Sequence, residues 1–299
     1  MKPGHYPELT NEAYHGGPGI SKSHLDKIAA SPAHYYAAYL DPNRAPREAT
    51  PAMIQGTAIH TAVLEPHLFE SEYIVVPAGM PTKPTDRQRN AKKPSSETVD
   101  AILAWDEFEL FSATKTILTA EQWHVALEVQ RSVRKHKAAA DLLRKGHAEH
   151  SYFSLDPDTG ALVKARPDWF TPAGVLVDLK STKSAAPDAF YRSVMDFGYD
   201  LQPWWYRNAI GAAIDEDLDG APWYFVAVEK EPPYAVAVYR LPPEVERAGA
   251  MRARQLLQKI VDAKLLDHWP AYSDDISILE FPGWALRKLG CNSAEADFA

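Results

Sequence analysis

Residues Val163–Thr182 read VKARPDWFTPAGVLVDLKST, and this stretch decides the fold. Its apolar and β-branched runs predict two strands, Leu162–Phe170 and Val175–Lys180. A short turn that contains Pro172 and Gly174 separates them. We therefore expect a β-hairpin at the centre of a mixed α/β fold.

The charged residues of this hairpin fall at its end. Successive side chains of a strand point to opposite faces, so Asp178 and Lys180 share one face and Leu179 points into the core. Asp168 closes the first strand. Hard divalent cations prefer oxygen ligands such as these carboxylates, and the carbonyl oxygen of Leu179 could be a further ligand. The nearby lysine can orient a water, deprotonate it or stabilise negative charge, and the sequence leaves these roles open.

The composition of the chain is that of a globular protein. It has 299 residues, of which 45% are hydrophobic, 11% aromatic and 24% charged. No apolar run reaches the length of a membrane span, and the N-terminal residues lack the regions of a signal peptide, so we expect a cytoplasmic protein without a membrane partner. Cys291 is the single cysteine, which excludes internal disulfides and multi-cysteine metal centres.

The net charge of −8 disfavours contact with phosphates, but bound cations could offset it. Two groups of basic residues are local exceptions, for which a solvated surface is the simpler interpretation. These groups are Lys83, Arg87, Arg89, Lys92 and Lys93 in one predicted loop, and Arg131, Arg134, Lys135 and Lys137 on one predicted helix.

The order of the predicted elements indicates one integrated domain with three regions. Residues 1–146 form a helical N-terminal region, residues 147–270 a mixed α/β core, and residues 271–299 an unassigned tail. The predicted helices are 21–30, 32–40, 53–66, 97–111, 120–145, 190–195, 201–214 and 244–266. The further predicted strands are 69–76, 150–155, 223–228 and 234–239, and residues 1–20, 42–51 and 77–98 are expected to be irregular.

Four polar residues outside the hairpin are further candidates for a site. Gln202 and Tyr206 are four residues apart on a predicted helix, so they share a face. His60 lies in the sequence GTAIH on an N-terminal helix, and Glu149 begins the strand before the hairpin. Each also has a structural explanation, such as a buried histidine or a solvated glutamate.

These residues together resemble a known family. Pro167-Asp168 followed by Asp178-Leu179-Lys180 is similar to the PD-(D/E)xK nuclease signature. Gln202 and Tyr206 resemble the QxxxY motif of the RecB-type subgroup, and His60 is similar to its upstream histidine. The resemblance implies a restriction-endonuclease-like core with a helical N-terminal elaboration.

A narrower resemblance is to the RecE-type exonuclease domain, the C-terminal part of exodeoxyribonuclease VIII and its phage relatives. It extends from about Gly19 to the long C-terminal helix. The similar stretches are residues 20–35, 55–66, 117–122, 164–170, 176–182 and 197–206.

The resemblance implies a 5′→3′ exonuclease on linear double-stranded DNA that leaves a 3′ single strand for a RecT-type annealing partner. It also implies Mg²⁺, which Mn²⁺ can replace, and a ring-shaped homo-oligomer. The implied metal site uses His60, Asp168, Asp178, the Leu179 carbonyl and Glu149. The implied catalytic residues are Lys180, Asp178 and Asp168, with Gln202 and Tyr206 lining the site.

Three other interpretations stay open at this point. The chain could be a PD-(D/E)xK endonuclease or repair nuclease of another specificity, a DNA-binding or assembly module without chemistry, or a structural domain with an accidental motif. RecB-type nucleases with an iron–sulfur cluster need several cysteines, so the single Cys291 argues against them.

Overall fold

The computed structural model describes residues 1–45, 49–273 and 275–291. The helices of these ranges are α1 (Asn11–Gly16), α2 (Lys22–Ala30), α3 (Pro32–Tyr39), α4 (Pro51–Leu64), α5 (Pro66–Glu72), α6 (Asp86–Arg89), α7 (Ser96–Phe111), α8 (Ala120–Lys135), α9 (Lys137–Leu142), α10 (Pro187–Asp196), α11 (Gln202–Ile214), α12 (Pro243–Leu266) and α13 (Gly283–Lys288). A 3₁₀ turn, Tyr199–Leu201, precedes α11. Among the described helices, none combines the length and apolar character needed to cross a bilayer.

The strands of the described ranges form three sheets. They are β1 (Gly4–Tyr6), β2 (Tyr73–Val75), β3 (Thr116–Leu118), β4 (His147–Ala148), β5 (Ser151–Leu155), β6 (Leu162–Ala165), β7 (Trp169–Phe170), β8 (Leu176–Thr182), β9 (Trp223–Glu229) and β10 (Val236–Tyr239). The main sheet has the order β10-β9-β8-β7-β4, and only its β8–β9 pair is parallel. A second, antiparallel sheet has the order β1-β5-β6, and β2 pairs with β3.

The central strand β8 is covered on both faces, which confirms the predicted mixed α/β fold. Leu176 packs into an apolar cluster formed with α2, α11 and α12. Val177 and Leu179 pack on the opposite side, in a cluster formed with α4 and α8. Parallel strands need a crossover connection, and α10 and α11 provide it between β8 and β9.

The second cluster also joins the two regions that the sequence separates at residue 146. Ile59 and Ala62 of α4 and Val129 of α8 are buried there with Val177 and Val226 of the main sheet. The N-terminal helices and the sheet therefore share a core. The boundaries at residues 146 and 270 stay predictions.

The predicted strand Leu162–Phe170 is wrong as one element. The chain forms β6 and β7, which belong to different sheets, and Arg166, Pro167 and Asp168 lie between them. Pro167 has no N–H to donate to a ladder, so it favours an interruption of pairing. The predicted partner strand is confirmed and runs from Leu176 to Thr182.

Other boundaries also differ from the prediction. Residues 69–76 are not one strand, because α5 begins with Pro66 at its first turn and continues to Glu72 before β2. The predicted helix 120–145 breaks at His136, whose extended backbone and ring nitrogen cap α9. The irregular segments 1–20 and 77–98 contain β1, α1 and α6. Residues 46–48 of the predicted loop, and residues 274 and 292–299 of the tail, lie outside the described ranges.

Lys164 on β6 holds the N-terminal segment against the core. Its side chain is only 2% exposed, and its ammonium donates hydrogen bonds to the carbonyl oxygens of Tyr14 (2.6 Å) and Gly17 (2.7 Å). The neighbouring Arg166 donates to the carbonyl oxygens of Leu9 and Thr10. These two cations therefore satisfy backbone acceptors across about 150 residues of sequence.

We predict that Lys164→Met destabilises the fold by about 2–4 kcal/mol, because it leaves two buried carbonyl groups without their charged donor. Denaturant unfolding measures this change. Lys27→Met is the matched control, since Lys27 is exposed on α2 and its loss should change stability by less than about 0.5 kcal/mol. Equal stabilities of the two variants would contradict the role of Lys164.

Candidate active site

The candidate side chains come from separate elements that meet beside β8. Helix α4 supplies His60, the turn between β4 and β5 supplies Glu149, the break before β7 supplies Asp168, β8 supplies Asp178, Leu179 and Lys180, and α11 supplies Gln202 and Tyr206. Their catalytic and ligand roles stay predictions. The structure shows which of them lie together.

Asp168 is fixed by the backbone of the neighbouring strand. Its Oδ2 accepts a hydrogen bond from the Leu179 N–H at 2.6 Å. His60 approaches from α4, with its Nδ1 3.7 Å from the same oxygen. One ligand atom each from His60, Glu149 and Asp168 lie within 4.8 Å of one another, a spacing that can hold a metal ion.

Asp178 is more deeply buried, at 2% exposure, and is held by two neighbours. Its Oδ1 accepts a hydrogen bond from Nε2 of Gln202 at 2.8 Å. Its Oδ2 forms a close ion pair with the Lys180 ammonium. The buried Oε1 of Gln202 lacks a hydrogen-bond partner within the described ranges.

These acceptors and ligand atoms fit a divalent cation. Buried polar atoms normally have a partner, and crowded carboxylate oxygens are suited to coordinate a hard cation. The set is rich in carboxylate oxygen and contains one imidazole, His60, within reach of them. The donor chemistry therefore agrees with a site for an ion such as Mg²⁺ or Mn²⁺.

Burial and crowding disfavour the charged forms of Asp168 and Glu149. Burial, followed by the negative charge of Asp178, raises the pKa of Asp168 to about 6. Burial and the charge of Asp168 raise the pKa of Glu149 well above its usual range. A cation in this position would offset the repulsion between these groups.

Lys180 keeps its charge although it is largely enclosed. Burial alone would lower its pKa, but the nearby Asp178 and Asp168 outweigh this effect and raise the pKa above the usual value. Its ammonium also lies 4.4 Å from the ring centroid of Tyr199. The lysine is thus a cation at neutral pH, which suits stabilisation of negative charge or orientation of a water.

Glu149 differs from its sequence-based description. It does not begin a strand but lies between β4 and β5. Its backbone φ is 54°, in the left-handed region that residues other than glycine rarely adopt. Its N–H donates to the Pro167 carbonyl oxygen at 3.2 Å. This turn brings its carboxylate beside His60 and Asp168 rather than along the strand.

A cavity of about 810 Å³ opens in front of this cluster. His60, Glu149, Asp168 and Tyr206 are among its lining residues. The lining also includes charged residues outside the predicted set, namely Glu8, Lys22, Glu65, Glu72, Lys164 and Arg166. Glu65 lies five residues after His60, and Arg166 lies two residues before Asp168. Their proximity to the motifs is the sequence signal that could have identified them as cavity residues.

The two basic groups on the surface agree with solvated ion pairs. Lys83 lies 2.7 Å from Glu109, and Arg89 lies 2.5 Å from Asp106. Arg131 lies 2.5 Å from a Glu128 oxygen on the same helix. None of the residues of the two groups lines the cavity described above.

Comparison with known proteins supports the fold that this geometry indicates. Residues 21–281 match the model of a family described as a PDDEXK-like domain of unknown function (DUF3799). The chain belongs to this family. The predicted membership of the PD-(D/E)xK superfamily is thereby confirmed, and nucleases of this superfamily generally use divalent metals.

A solved structure gives the same result for the fold. The chain is similar to a crystal structure from Eubacterium rectale named "Putative exonuclease", with a TM-score of 0.56 and 14% sequence identity. The similarity covers 94% of this chain and 98% of that one. A search of curated proteins finds no match. The neighbour therefore confirms the overall fold.

We predict that Asp168→Asn stabilises the metal-free protein by about 1–3 kcal/mol at pH 7–8, since one pKa unit corresponds to about 1.4 kcal/mol. The pKa of Asp168 rises from its usual 3.8 to about 6 on folding, so the folded state binds the proton more tightly. This contribution is complete below pH 3.8 and is lost as the pH rises to about 6. The neutral Asn avoids that loss and can still accept the Leu179 N–H.

Thermal unfolding in a chelator, repeated between pH 4 and 8, measures the difference, which should shrink toward pH 4. Asp158→Asn in the exposed β5–β6 turn is the control. Added Mg²⁺ or Mn²⁺ should stabilise the wild type more than Asp168→Asn. A variant that is less stable than the wild type at pH 8 without metal would contradict the predicted crowding.

Proposed function

We propose that this protein is a cytoplasmic, Mg²⁺-dependent exodeoxyribonuclease that degrades linear double-stranded DNA in the 5′→3′ direction. The observation that carries the proposal is the joining of two sets of residues. His60, Glu149 and Asp168 form a possible ligand set, and Asp178 and Lys180 form an ion pair directly beside it. Phosphodiester hydrolysis needs both parts, a cation site and a charged group near the attacking water.

The residues around the carboxylate centre have defined tasks in this proposal. A bound divalent cation would neutralise charge on the phosphate and make a water more acidic. Asp168 is held in place by the Leu179 N–H, and Asp178 by Gln202. Lys180 orients the water or stabilises the charge that develops on the phosphate, and Leu179 could add its carbonyl oxygen to the ligand set.

The exonuclease part of the proposal is supported by similarity at the motifs. The stretches around His60, Asp168, Asp178 and Gln202 resemble the RecE-type exonuclease domain, and the structural neighbour bears the name "Putative exonuclease". The same resemblance supports a 3′ single-stranded product, a RecT-type annealing partner and a ring-shaped homo-oligomer. In such a ring only the channel needs to be basic, which is compatible with a net charge of −8.

We predict that Asp178→Asn and Lys180→Ala each reduce DNA degradation about a hundredfold or more, because each removes charge that acts on the reacting groups. Release of acid-soluble nucleotides from linear duplex DNA with Mg²⁺ measures the rate. Lys183→Ala is the matched control, since Lys183 is exposed just beyond β8. Circular dichroism verifies folding. Activity like that of the wild type in either site variant would remove these residues from the mechanism.

Duplex DNA labelled at the 5′ or the 3′ end tests the direction of degradation. We expect Mg²⁺ to support early release of the 5′ label and EDTA to abolish it. Covalently closed circular DNA should stay intact. Early release of the 3′ label would contradict the polarity, cleavage of circles would favour an endonuclease, and tight DNA binding without any cleavage would favour a non-catalytic module.

A further inference from the structure

A second cluster of metal-binding side chains lies outside the carboxylate site. It consists of His5 on β1, His147 on β4 and His150 next to β5. His5 is exposed, and the other two are partly buried. The pairing of β1 with β5, which places His5 opposite Tyr152, brings the N-terminal strand to the other two histidines.

The three imidazoles are close enough to share one ion. One nitrogen of each ring lies within 4.8 Å of the others, and Nε2 of His5 is 2.9 Å from Nδ1 of His150. Nitrogens around a tetrahedral zinc ion, bound at about 2.0–2.1 Å, are about 3.3 Å apart. The ring of His5 is exposed, so it has the most freedom to move toward that spacing.

Tyr152 supplies support of the kind that metal-binding histidines use. Its hydroxyl lies 2.8 Å from Nε2 of His147. When this nitrogen donates to the hydroxyl, the other ring nitrogen of His147 keeps its lone pair for a metal. The His5 ring also stacks on the Tyr152 ring, with centroids 4.5 Å apart. The cluster is therefore positioned by packing as well as by hydrogen bonds.

We propose that His5, His147 and His150 bind a transition-metal ion of the Zn²⁺ type, at a site separate from the carboxylate-rich centre. Imidazole ligands suit zinc, cobalt, nickel and copper, whereas Mg²⁺ prefers sites rich in oxygen ligands. The three histidines leave a fourth position of a tetrahedral ion for water. The two sites thus differ in the class of cation that they select.

Glu149 connects this site to the carboxylate centre. It lies between Ala148 and His150, and its left-handed backbone directs its carboxylate toward Asp168 while the histidines on either side meet His5. An ion bound by His147 and His150 restrains both ends of this turn. It also fixes β1 to the main sheet through His5. The expected role is to hold the N-terminal strand and the Glu149 turn in place.

Metal binding to the tag-free, 299-residue chain tests the proposal. The protein is stripped with a chelator and titrated with Co²⁺ in excess Mg²⁺, which saturates the carboxylate centre with a hard cation. We expect one Co²⁺ per chain with the visible absorption of a nitrogen-ligated ion, and its displacement by Zn²⁺. His5→Ala and His150→Ala should each weaken binding at least about tenfold.

Two controls separate this site from the carboxylate centre and from surface histidines. His124→Ala removes an exposed histidine of α8, and Asp168→Asn changes the other centre, so both should keep the Co²⁺ signal. Zn²⁺ should raise the unfolding temperature of the wild type and of these controls but not that of His5→Ala. His5 is exposed, so its removal tests the site without disturbing the core.

The result that overturns the proposal is equally specific. Wild-type affinity in both His5→Ala and His150→Ala would show that the imidazoles are joined only by hydrogen bonds and stacking. Absence of a Co²⁺ signal in the wild type would do the same. Loss of the signal in Asp168→Asn with retention in His5→Ala would place the ion in the carboxylate centre. Each readout is independent of DNA cleavage and therefore of the proposed nuclease function.

Discussion

The hydrogen bond from the Leu179 N–H to the Asp168 carboxylate determines the arrangement of the centre. Strand β7 has only two residues and pairs with β8 at Trp169–Val177 and Phe170–Leu176. Extending this register by one residue places Asp168 opposite Asp178. Beyond Val177, the edge of β8 that faces β7 has no strand partner among the described residues, so the Leu179 N–H needs another acceptor. The side chain of Asp168 supplies it and is thereby fixed next to Asp178.

This arrangement concentrates negative charge where burial makes charge costly. Burial, with repulsion from the neighbouring carboxylate as the second cause, raises the pKa values of Asp168 and Glu149. Lys180 offsets part of it, but its ammonium is paired with Asp178. Buried carboxylates arranged in this way lower the stability of the folded protein, because their charges are neutralised only when a cation binds.

The sequence was sufficient for the features that depend on local periodicity. Alternation along β8 placed Asp178 and Lys180 on one face, and helical spacing placed Gln202 and Tyr206 on α11, where Gln202 contacts Asp178. The sequence was insufficient where pairing between distant segments determines the structure. The division of 162–170 into strands of two sheets depends on β5 and β8 as partners.

The same limit applies to contacts over long separations in sequence. The Glu149 turn depends on the Pro167 carbonyl, and the three histidines meet only because β1 pairs with β5. Lys164 reads as one more basic residue in the sequence, yet its ammonium is buried against backbone carbonyls about 150 residues away. Charge counted along the chain therefore gives no indication of whether a cation is available to a ligand.

That distinction bears directly on how an acidic protein could hold DNA. At the cavity, Lys164 and Arg166 donate to backbone oxygens, and Lys22 donates to Asp26 and to the Phe197 carbonyl. Lys180 is paired with Asp178. These cations are already engaged within the fold, so under the proposed function bound metal ions would add positive charge for a phosphate at the cavity. In the proposed nuclease, the metal would serve substrate binding as well as hydrolysis.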